Sequence, residues 1–206
     1  MNQPSHVCCD AQAVRIIHYP HPTLRYRSKP IRRINEGIRQ LARRMFDLMY
    51  EAKGIGLAAN QVNVPLRLFV VNLAGKPDEG EEWVFVNPVI SQPQGWQEEE
   101  EGCLSLPGLY APVGRPRRVV IQAFDLQGNE IVEDVSGWMA RVVQHELDHL
   151  DGVLFIDRVQ SAEHRGRMQE TLAALEAKFR EERAAGLLPP ENVIAQGLQA
   201  WIAQYA

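Results

Sequence analysis

Two histidines and a glutamate in the stretch QHELDHLDG, residues 144–152, have the spacing of a metal site. On a helix, His145 and His149 share one face, so both can bind the same ion. Glu146 then lies about 100° around the helix, beside the ion, where a general base would act. H-E-x-x-H on a helix is a signature of metallohydrolases. The alternative is two histidines held by ordinary hydrogen bonds, because so short a pattern also arises by chance.

The residues around this motif favour a helix. Ser136 is a suitable N-cap, no proline follows before Leu150, and Gly152 suits the position after the last turn. The helical repeat places Trp138 and Val142 on the same face as both histidines. This apolar setting favours a metal site over two histidines with ordinary hydrogen bonds.

A third metal ligand has to come from another part of the chain. The motif begins like that of a metzincin protease, which needs a histidine three residues after the glycine, but Phe155 occupies that position. The stretch EEGCLSLPG, residues 100–108, offers Cys103 in a tight backbone segment. A thiolate binds zinc at about 2.3 Å, and with two imidazoles it leaves a position for water, whose pKa would fall toward about 7. The alternative role of Cys103 is a small buried apolar residue.

The stretch GIGLAANQV, residues 54–62, has features of a segment that contacts a ligand. Its two glycines allow the backbone to approach a ligand closely. Gln61 offers a neutral side-chain amide as a hydrogen-bond donor. Taken alone, the stretch is better explained as the end of a helix followed by a turn.

Together, GIGLAANQ, EGCLSLPG and QHELDHLDG occur in an order and at separations that closely resemble the peptide deformylase family. The segments HPTLR, FVNPVI and RRVVIQAFDLQGNEI also look like the connecting segments of that family. The resemblance covers residues 14–180. It implies an enzyme that removes the N-formyl group from the initiator methionine of new bacterial or organellar polypeptides.

The resemblance also implies a metal and its ligands. Cys103, His145 and His149 match the residues that hold one divalent metal ion per chain in this family. That ion is usually Fe²⁺, and Zn²⁺, Ni²⁺ or Co²⁺ can occupy the site. The expected cofactor is therefore one divalent ion, with Fe²⁺ preferred.

Three catalytic roles follow from the same resemblance. Glu146 matches the catalytic glutamate, which takes a proton from the attacking water and passes it to the leaving amine. Gln61 matches the glutamine of the first motif. Its Nε2 and the backbone N–H of Leu104 would stabilise the oxyanion.

The substrate would lie along the same motifs. Gly56 and Gly102 would let its backbone lie close to the enzyme, as an added strand. Ile55 and Val142 would line an apolar pocket for the methionine side chain. The family often has a basic residue seven positions after the metal-binding cysteine, where this chain has Tyr110. A contact between an arginine there and the peptide cannot be carried over.

The wider sequence predicts an α+β fold, in which antiparallel strands pack around the central helix that carries H-E-x-x-H and a C-terminal helix follows. Strands are predicted at 67–73, 83–90, 117–124 and 130–135, and helices at 35–53, 137–150 and 162–184. The chain is divided into a flexible N-terminus at 1–12, a deformylase catalytic domain at 13–185, and a tail at 186–206 with a short helical segment.

Composition and charge indicate a cytoplasmic protein without a membrane or specific nucleic-acid partner. The chain has 206 residues and a net charge of −4, which argues against nucleic acid as the main partner. Three cysteines form no disulfide framework and suggest a reducing compartment. No segment has the apolar length of a signal peptide or a membrane span. The expected partners are N-formylmethionyl nascent peptides and, transiently, the ribosome.

Basic residues are concentrated early in the chain. Between Arg15 and Arg44 there are nine Lys and Arg and one acid, Glu36. This segment is either a patch for an acidic partner such as RNA or, more simply, the solvated face of a helix and its lead-in.

Two other functions are compatible with these residues. A metallopeptidase or another amidase could use the same ligands, although the small residues of the first motif suit a formyl group better than a bulky acyl group. A catalytically silent relative could act as a binding module, for instance on the ribosome. Intact Cys103, Glu146 and Gln61 argue against that role.

Overall fold

Most strands belong to one antiparallel sheet. The structure, a computed structural model, describes residues 9–206. Five strands pair in the order β1-β2-β3-β6-β7, and β4 pairs with β5 in a separate two-stranded ribbon. The strands are β1 Gly56–Ala58, β2 Leu68–Val71, β3 Trp83–Gln94, β4 Gln97–Cys103, β5 Leu106–Arg115, β6 Arg118–Phe124 and β7 Glu130–Ser136. Every pairing between these strands is antiparallel, so the predicted α+β class is confirmed.

The helices found in residues 9–206 are α1 Glu36–Glu51, α2 Gly137–Leu150, α3 Phe155–Arg158, α4 Ala162–Ala184 and α5 Glu191–Tyr205. α1 begins after Asn35, whose side chain accepts a hydrogen bond from the Ile38 backbone N–H at 3.2 Å. Its apolar stripe of Leu41, Met45 and Met49 is fully buried and packs against β1 and β2. None of these helices is both long enough and apolar enough to cross a bilayer.

α2 follows β7 directly and packs on the five-stranded sheet. Ser136 is its N-cap, as predicted, but the Ser136 side chain makes no capping hydrogen bond. The helix ends before Gly152, which has a φ of 76°, and a side chain there would come within 2.6 Å of the Arg25 carbonyl oxygen. Val143 packs with Phe85 of β3 in a buried cluster. The sheet therefore supports the helix that carries both histidines.

The sequence does not predict the β4–β5 ribbon. β4 contains four consecutive glutamates at 98–101, and glutamate is depleted in strands. Three of them are exposed, whereas Glu101 is buried. The ribbon is held by cross-strand pairing that runs from Gln97–Arg115 to Gly102–Tyr110. Such pairing is a property of the folded chain and leaves no periodic signal in this segment.

Residues near both ends of the described chain pack against α1. Ala11, Trp201 and Tyr205 are buried in the same apolar cluster as the α1 stripe. The backbone N–H of Arg32 also donates to the Tyr205 carbonyl at 2.9 Å. α5 therefore packs into the same apolar core as α1. The division of the chain at residue 185 stays a prediction, and residues 1–8 of the predicted flexible segment lie outside the described residues.

Candidate active site

Three side chains that could hold one metal ion converge from two elements. Cys103 is the last residue of β4, and His145 and His149 lie on α2. Sγ of Cys103 lies 3.2 Å from Nε2 of His149, and the sulfur and one nitrogen of each histidine lie within 4.8 Å of one another. His149 is buried, whereas Cys103 and His145 are partly exposed. The structure brings together the three residues predicted as ligands.

This donor set fits one divalent metal ion. A thiolate and two imidazoles suit borderline-soft ions such as zinc or ferrous iron. The donor atoms are close enough to share one ion at bond lengths of about 2.0–2.3 Å. Nδ1 of His149 is buried without a hydrogen-bond partner among residues 9–206, and Nε2 is the atom that faces Cys103. The side chains present therefore fit the metal that the sequence implies.

Glu101 belongs to the site, although sequence reasoning missed it. Its Oε2 lies 3.0 Å from Nδ1 of His145, which leaves Nε2 of His145 for a metal. Arg115 donates two hydrogen bonds to this carboxylate, at 2.5 and 2.9 Å, and Arg141 donates one at 2.5 Å. Burial raises the pKa of Glu101, but the hydrogen bonds from Arg115 and His145 outweigh this effect and lower the pKa to about 2. In the sequence, Glu101 is the first residue of the stretch EGCLSLPG that resembles the family, and this was the signal that could have identified it; its residue type alone does not distinguish it from the three glutamates before it.

A second buried carboxylate extends this ionic network. Arg115 donates to Oδ2 of Asp148 at 2.8 Å. Arg158 donates to the same carboxylate from Nε at 2.5 Å and also from Nη2. Asp148 directly precedes His149 on α2, and Arg158 is the last residue of α3. The network therefore joins α2, α3 and the β4–β5 ribbon around the three predicted ligands.

Replacing Glu101 with glutamine is expected to lower the free energy of unfolding by about 3 kcal/mol, the low end for breaking a buried ion pair. The substitution leaves Arg141 buried without a charge partner, whereas Arg115 keeps a second carboxylate. Urea denaturation measures the effect. Asp134→Asn is the matched control, because it breaks an exposed pair with Arg118 and should change stability little. Equal losses in the two variants would contradict this prediction.

Glu146 is buried and directly follows His145, one of the three predicted ligands. Its side chain lines the cleft described below, and its Oε2 has no hydrogen-bond partner in the described part of the chain. Burial raises the pKa of Glu146 to about 7, and the positive charges of His145 and Arg115 oppose this only in part. A carboxyl group with such a pKa can both accept and release a proton near neutral pH.

Gln61 is oriented with its amide nitrogen toward Cys103, one of the three predicted ligands. It lies in a 3-10 helix at Ala59–Val62. Its Oε1 accepts a hydrogen bond from the Ala58 backbone N–H at 2.8 Å, and its Nε2 donates to Oγ of Ser105 at 3.2 Å and lies 3.4 Å from Sγ of Cys103. The amide is therefore held as a donor. Ser105 also donates its backbone N–H to Sγ at 3.4 Å and is a further residue that sequence reasoning missed, because a serine in a turn is no signal by itself.

A cleft of about 790 Å³ opens beside these groups. Segment 52–56, residues 100–104 and 106–110, and one face of α2 between residues 138 and 146 form its walls, together with Gln61. His149 lies behind the lining and is 1% exposed. The other nine predicted site residues all line the cleft: Ile55, Gly56, Gln61, Gly102, Cys103, Leu104, Val142, His145 and Glu146.

Other side chains of the protein fill the space beside Gly56 and Gly102, the two glycines predicted to contact the substrate backbone. A side chain at Gly56 would come within 2.5 Å of Oε1 of Glu146 and 2.9 Å of Val142. At Gly102 it would come within 2.5 Å of the Tyr110 ring. The absence of a side chain at Gly56 therefore makes room for Glu146, and its absence at Gly102 makes room for Tyr110. Contact of either glycine with a substrate backbone stays a prediction.

A buried carboxyl group at a cleft, next to a cysteine and two histidines that can share a metal ion, is the working arrangement of a metal-dependent hydrolase. The sequence model of the polypeptide deformylase family matches residues 13–165. This chain belongs to the polypeptide deformylase family, as the three motifs predict. It is a hydrolase of protein biosynthesis that removes the N-formyl group from newly made polypeptides.

Individual relatives agree with this assignment. The peptide deformylase of Rhodopirellula baltica is 49% identical over 190 residues, which are 92% of this chain and 94% of the relative. The chloroplastic peptide deformylase 1B of Oryza sativa is 46% identical over 87% of this chain and 66% of its own length. The crystal structure of a plant peptide deformylase, PDF1B, superimposes with a TM-score of 0.80 at 41% identity and covers 93% of this chain and 98% of its own.

Gly56→Ala is expected to lower kcat/KM roughly tenfold to a hundredfold, because the added methyl group displaces the Glu146 carboxyl and small misplacements of a catalytic group are costly. Formate release measures the loss. Gly166→Ala is the control: this exposed glycine lies in α4 with nothing within 4 Å of an added side chain. It should gain about 0.5–1 kcal/mol of stability and keep full activity. Unchanged kcat/KM in the Gly56 variant would show that Glu146 does not need this space.

Proposed function

We propose that the cleft hydrolyses the formamide bond of N-formylmethionyl nascent peptides and releases formate. The observation that carries this proposal is that Cys103 and His145 line the cleft together with the buried carboxyl group of Glu146, and that His149 lies directly behind them, close enough to share one ion. When bound, the metal would polarise the formyl carbonyl and lower the pKa of water. We propose Fe²⁺ as the resident ion, with Zn²⁺, Ni²⁺ or Co²⁺ as replacements.

Groups of the protein then transfer the proton and stabilise the negative charge that develops on the formyl oxygen. Glu146 takes a proton from the attacking water and gives it to the departing amine, a role supported by its raised pKa and its place beside the ligands. Gln61 Nε2 and the backbone N–H of Leu104 donate hydrogen bonds to the oxygen of the formyl group as it gains negative charge. The bond from Ala58 to Oε1 of Gln61 supports this donor role.

The substrate binds with its methionine side chain against Ile55 and Val142, which form an apolar part of the cleft wall. Its backbone runs past Gly56 and Gly102 in an extended conformation. The space near Gly56 is small, because Glu146 and Val142 already occupy the volume of a side chain there. A formyl group fits such a space better than a larger acyl group.

The enzyme acts on polypeptides as they are made, so we propose a cytoplasmic location and a transient encounter with the ribosome. The bacterial relative that aligns over 94% of its length supports this location, although three plant relatives are named chloroplastic, one of them also mitochondrial. The net charge of −4 argues against a specific nucleic-acid partner. We also propose that the protein does not bind a membrane.

The direct test of the function compares formyl-Met-Ala-Ser with acetyl-Met-Ala-Ser as substrates under anaerobic conditions, with Fe²⁺ retained. The two peptides differ only in the acyl group. We expect formate from the first and no measurable acetate from the second. Release of both acids at similar rates would point to a general amidase, and release of neither would reject the function.

The identity of the metal has a separate consequence. The iron-loaded enzyme is expected to lose activity in air faster than the nickel or zinc forms, because ferrous iron beside a thiolate invites oxidation of the ion and of Cys103. Zinc has no accessible redox step. One apoprotein preparation is loaded with each metal and exposed to air while formate release is followed, with anaerobic samples as controls. Equal decay rates would show that oxidation does not cause the loss of activity. A zinc form that starts markedly more active than the iron form would argue against Fe²⁺ as the resident ion.

A further inference from the structure

A second cavity, of about 580 Å³, lies outside the active site. Its walls are formed chiefly by segment 13–19, the second half of α4, and α5 with the turn before it. Of the described residues, Pro107 alone borders both this cavity and the cleft. The volume is in the range of small-molecule sites, about 300–1,000 Å³, and the proposed reaction makes no use of this space.

Much of the wall of this cavity is apolar. Ile17, Ile194 and Trp201 are buried, and they come from segment 13–19 and from α5. Leu187 and Val193 line the same cavity but are 69% and 40% exposed. An apolar molecule bound here would remove the surface of these two large side chains from water, which favours binding.

His21 is a buried polar group in this wall. It is 4% exposed and lines the cavity. Burial, and then the charges of Arg183 and Arg15, lower the pKa of His21 to about 4, so the ring is uncharged near neutral pH. Its Nδ1 accepts a hydrogen bond from the Thr23 backbone N–H at 3.3 Å, which leaves the proton on Nε2. Nε2 makes no hydrogen bond within residues 9–206 and is therefore a donor that a ligand can use.

The charged side chains of the wall leave one cation available. Two basic and two acidic residues line the cavity. Glu182 lies 3.8 Å from the Lys178 ammonium, and the Asp10 carboxylate accepts a hydrogen bond from the Gln12 backbone N–H at 2.9 Å. Arg15 is exposed and has no hydrogen bond or ion pair from its side chain to any described residue. Its charge acts on His21, so the free cation and the free donor serve the same part of the cavity.

We propose that this cavity binds an alkyl carboxylate, with the alkyl chain against the apolar wall and the carboxylate between His21 and Arg15. The carboxylate accepts the hydrogen bond from Nε2 of His21 and pairs with the guanidinium of Arg15. A ligand without the carboxylate would leave Arg15 without a counter-ion. A short carboxylate would leave the apolar wall in water. The two features together therefore select an amphiphile.

The wall of this cavity is joined to the active site, although the ligand stays outside the cleft. The backbone N–H of Ile17 donates to the Gln61 carbonyl, and that of Tyr19 donates to the Ser105 carbonyl, both at 2.8 Å. The shared border between the two spaces is limited to Pro107 among the described residues. We therefore expect the alkyl carboxylate and the substrate to bind at the same time.

The test titrates the metal-loaded enzyme with octanoate, octanol and butyrate in a calorimeter. Octanoate should bind. Octanol should bind about tenfold more weakly, because hydrogen bonds to a charged group are roughly twice as strong as neutral ones. Butyrate should bind at least about a hundredfold more weakly, because it buries fewer methylene groups. Octanoate should leave the KM for formyl-Met-Ala-Ser unchanged. A KM that rises with octanoate concentration would place the ligand in the cleft and overturn the inference.

Arg15→Gln should weaken octanoate binding about fivefold, the upper end for an ion pair that solvent can reach, and should leave octanol binding unchanged. Arg33→Gln is the matched control, because it removes an exposed arginine outside the cavity and should bind octanoate like the wild type. Equal octanoate affinity in the wild type and the Arg15 variant would overturn the inference, and so would an equal loss in the Arg33 variant. If the Arg15 variant loses octanol as well, the arginine shapes the cavity and does not pair with a carboxylate. Absence of octanoate binding to the wild type would reject the site.

Discussion

Replacing Glu146 with alanine is expected to lower kcat at least about a hundredfold, the low end for general acid–base catalysis, while the metal content stays at that of the wild type. The reason is the position of Glu146: it lies beside Cys103, His145 and His149 but does not belong to the donor group they form. Its loss removes the proton carrier and leaves the ligands intact. Formate release and elemental analysis of the same preparation measure the two quantities.

The matched control for this variant is Glu99→Ala, which removes an exposed glutamate of β4 that does not line the cleft. It should leave both turnover and metal content unchanged. If metal content falls in step with activity in the Glu146 variant, the residue is a ligand and not a base. If turnover falls less than tenfold, another group carries the proton.

Cys103→Ser is expected to weaken metal binding and to abolish turnover with Fe²⁺. A serine hydroxyl stays protonated near neutral pH and replaces a thiolate poorly as a ligand. The substitution also replaces the sulfur that Gln61 Nε2 and the Ser105 backbone N–H now contact with a smaller hydroxyl oxygen. Equilibrium dialysis against Fe²⁺ or Zn²⁺ gives the metal affinity without relying on activity, and formate release gives the turnover.

Cys8→Ser/Cys9→Ser is the control for this experiment. Cys9 packs against the cluster around α1 and does not line the cleft, and Cys8 lies outside the described residues. We expect this double variant to bind metal and to turn over like the wild type. Loss of metal in the double variant, with Cys103 intact, would show that the wrong cysteine has been assigned.

Local pattern was sufficient for the helix that carries the histidines and for α1, which precedes the first motif, but it did not predict β1, which lies within that motif. The α1 stripe repeats every three or four residues, and the segment from Gly137 to Leu150 has no proline and ends at a glycine, so both helices could be predicted. The four strands of alternating or apolar character were also predictable. The β4–β5 ribbon was not, because glutamate is depleted in strands and residues 98–100 of β4 are all exposed, so the strand shows no alternation of buried and exposed positions.

The roles of individual residues divide in the same way. His145, Glu146 and His149 are neighbours on one helix, so their relative placement follows from helical geometry alone. Glu101 is different, because its importance comes from Arg115, Arg141 and His145, which lie 14, 40 and 44 residues away. No local pattern encodes contacts over such separations.

The sequence by itself determined the kinds of chemistry available: a thiolate, two imidazoles four residues apart, and a carboxyl group beside them. Only the tertiary structure decided that Cys103 lies 3.2 Å from His149 and that the space beside Gly56 belongs to Glu146. It also decided that Trp138, on the same helical face as the buried His149, stands 59% exposed at the cleft. The physical reason is that periodicity specifies which side chains share a face, whereas burial and pKa depend on what the rest of the chain packs against that face.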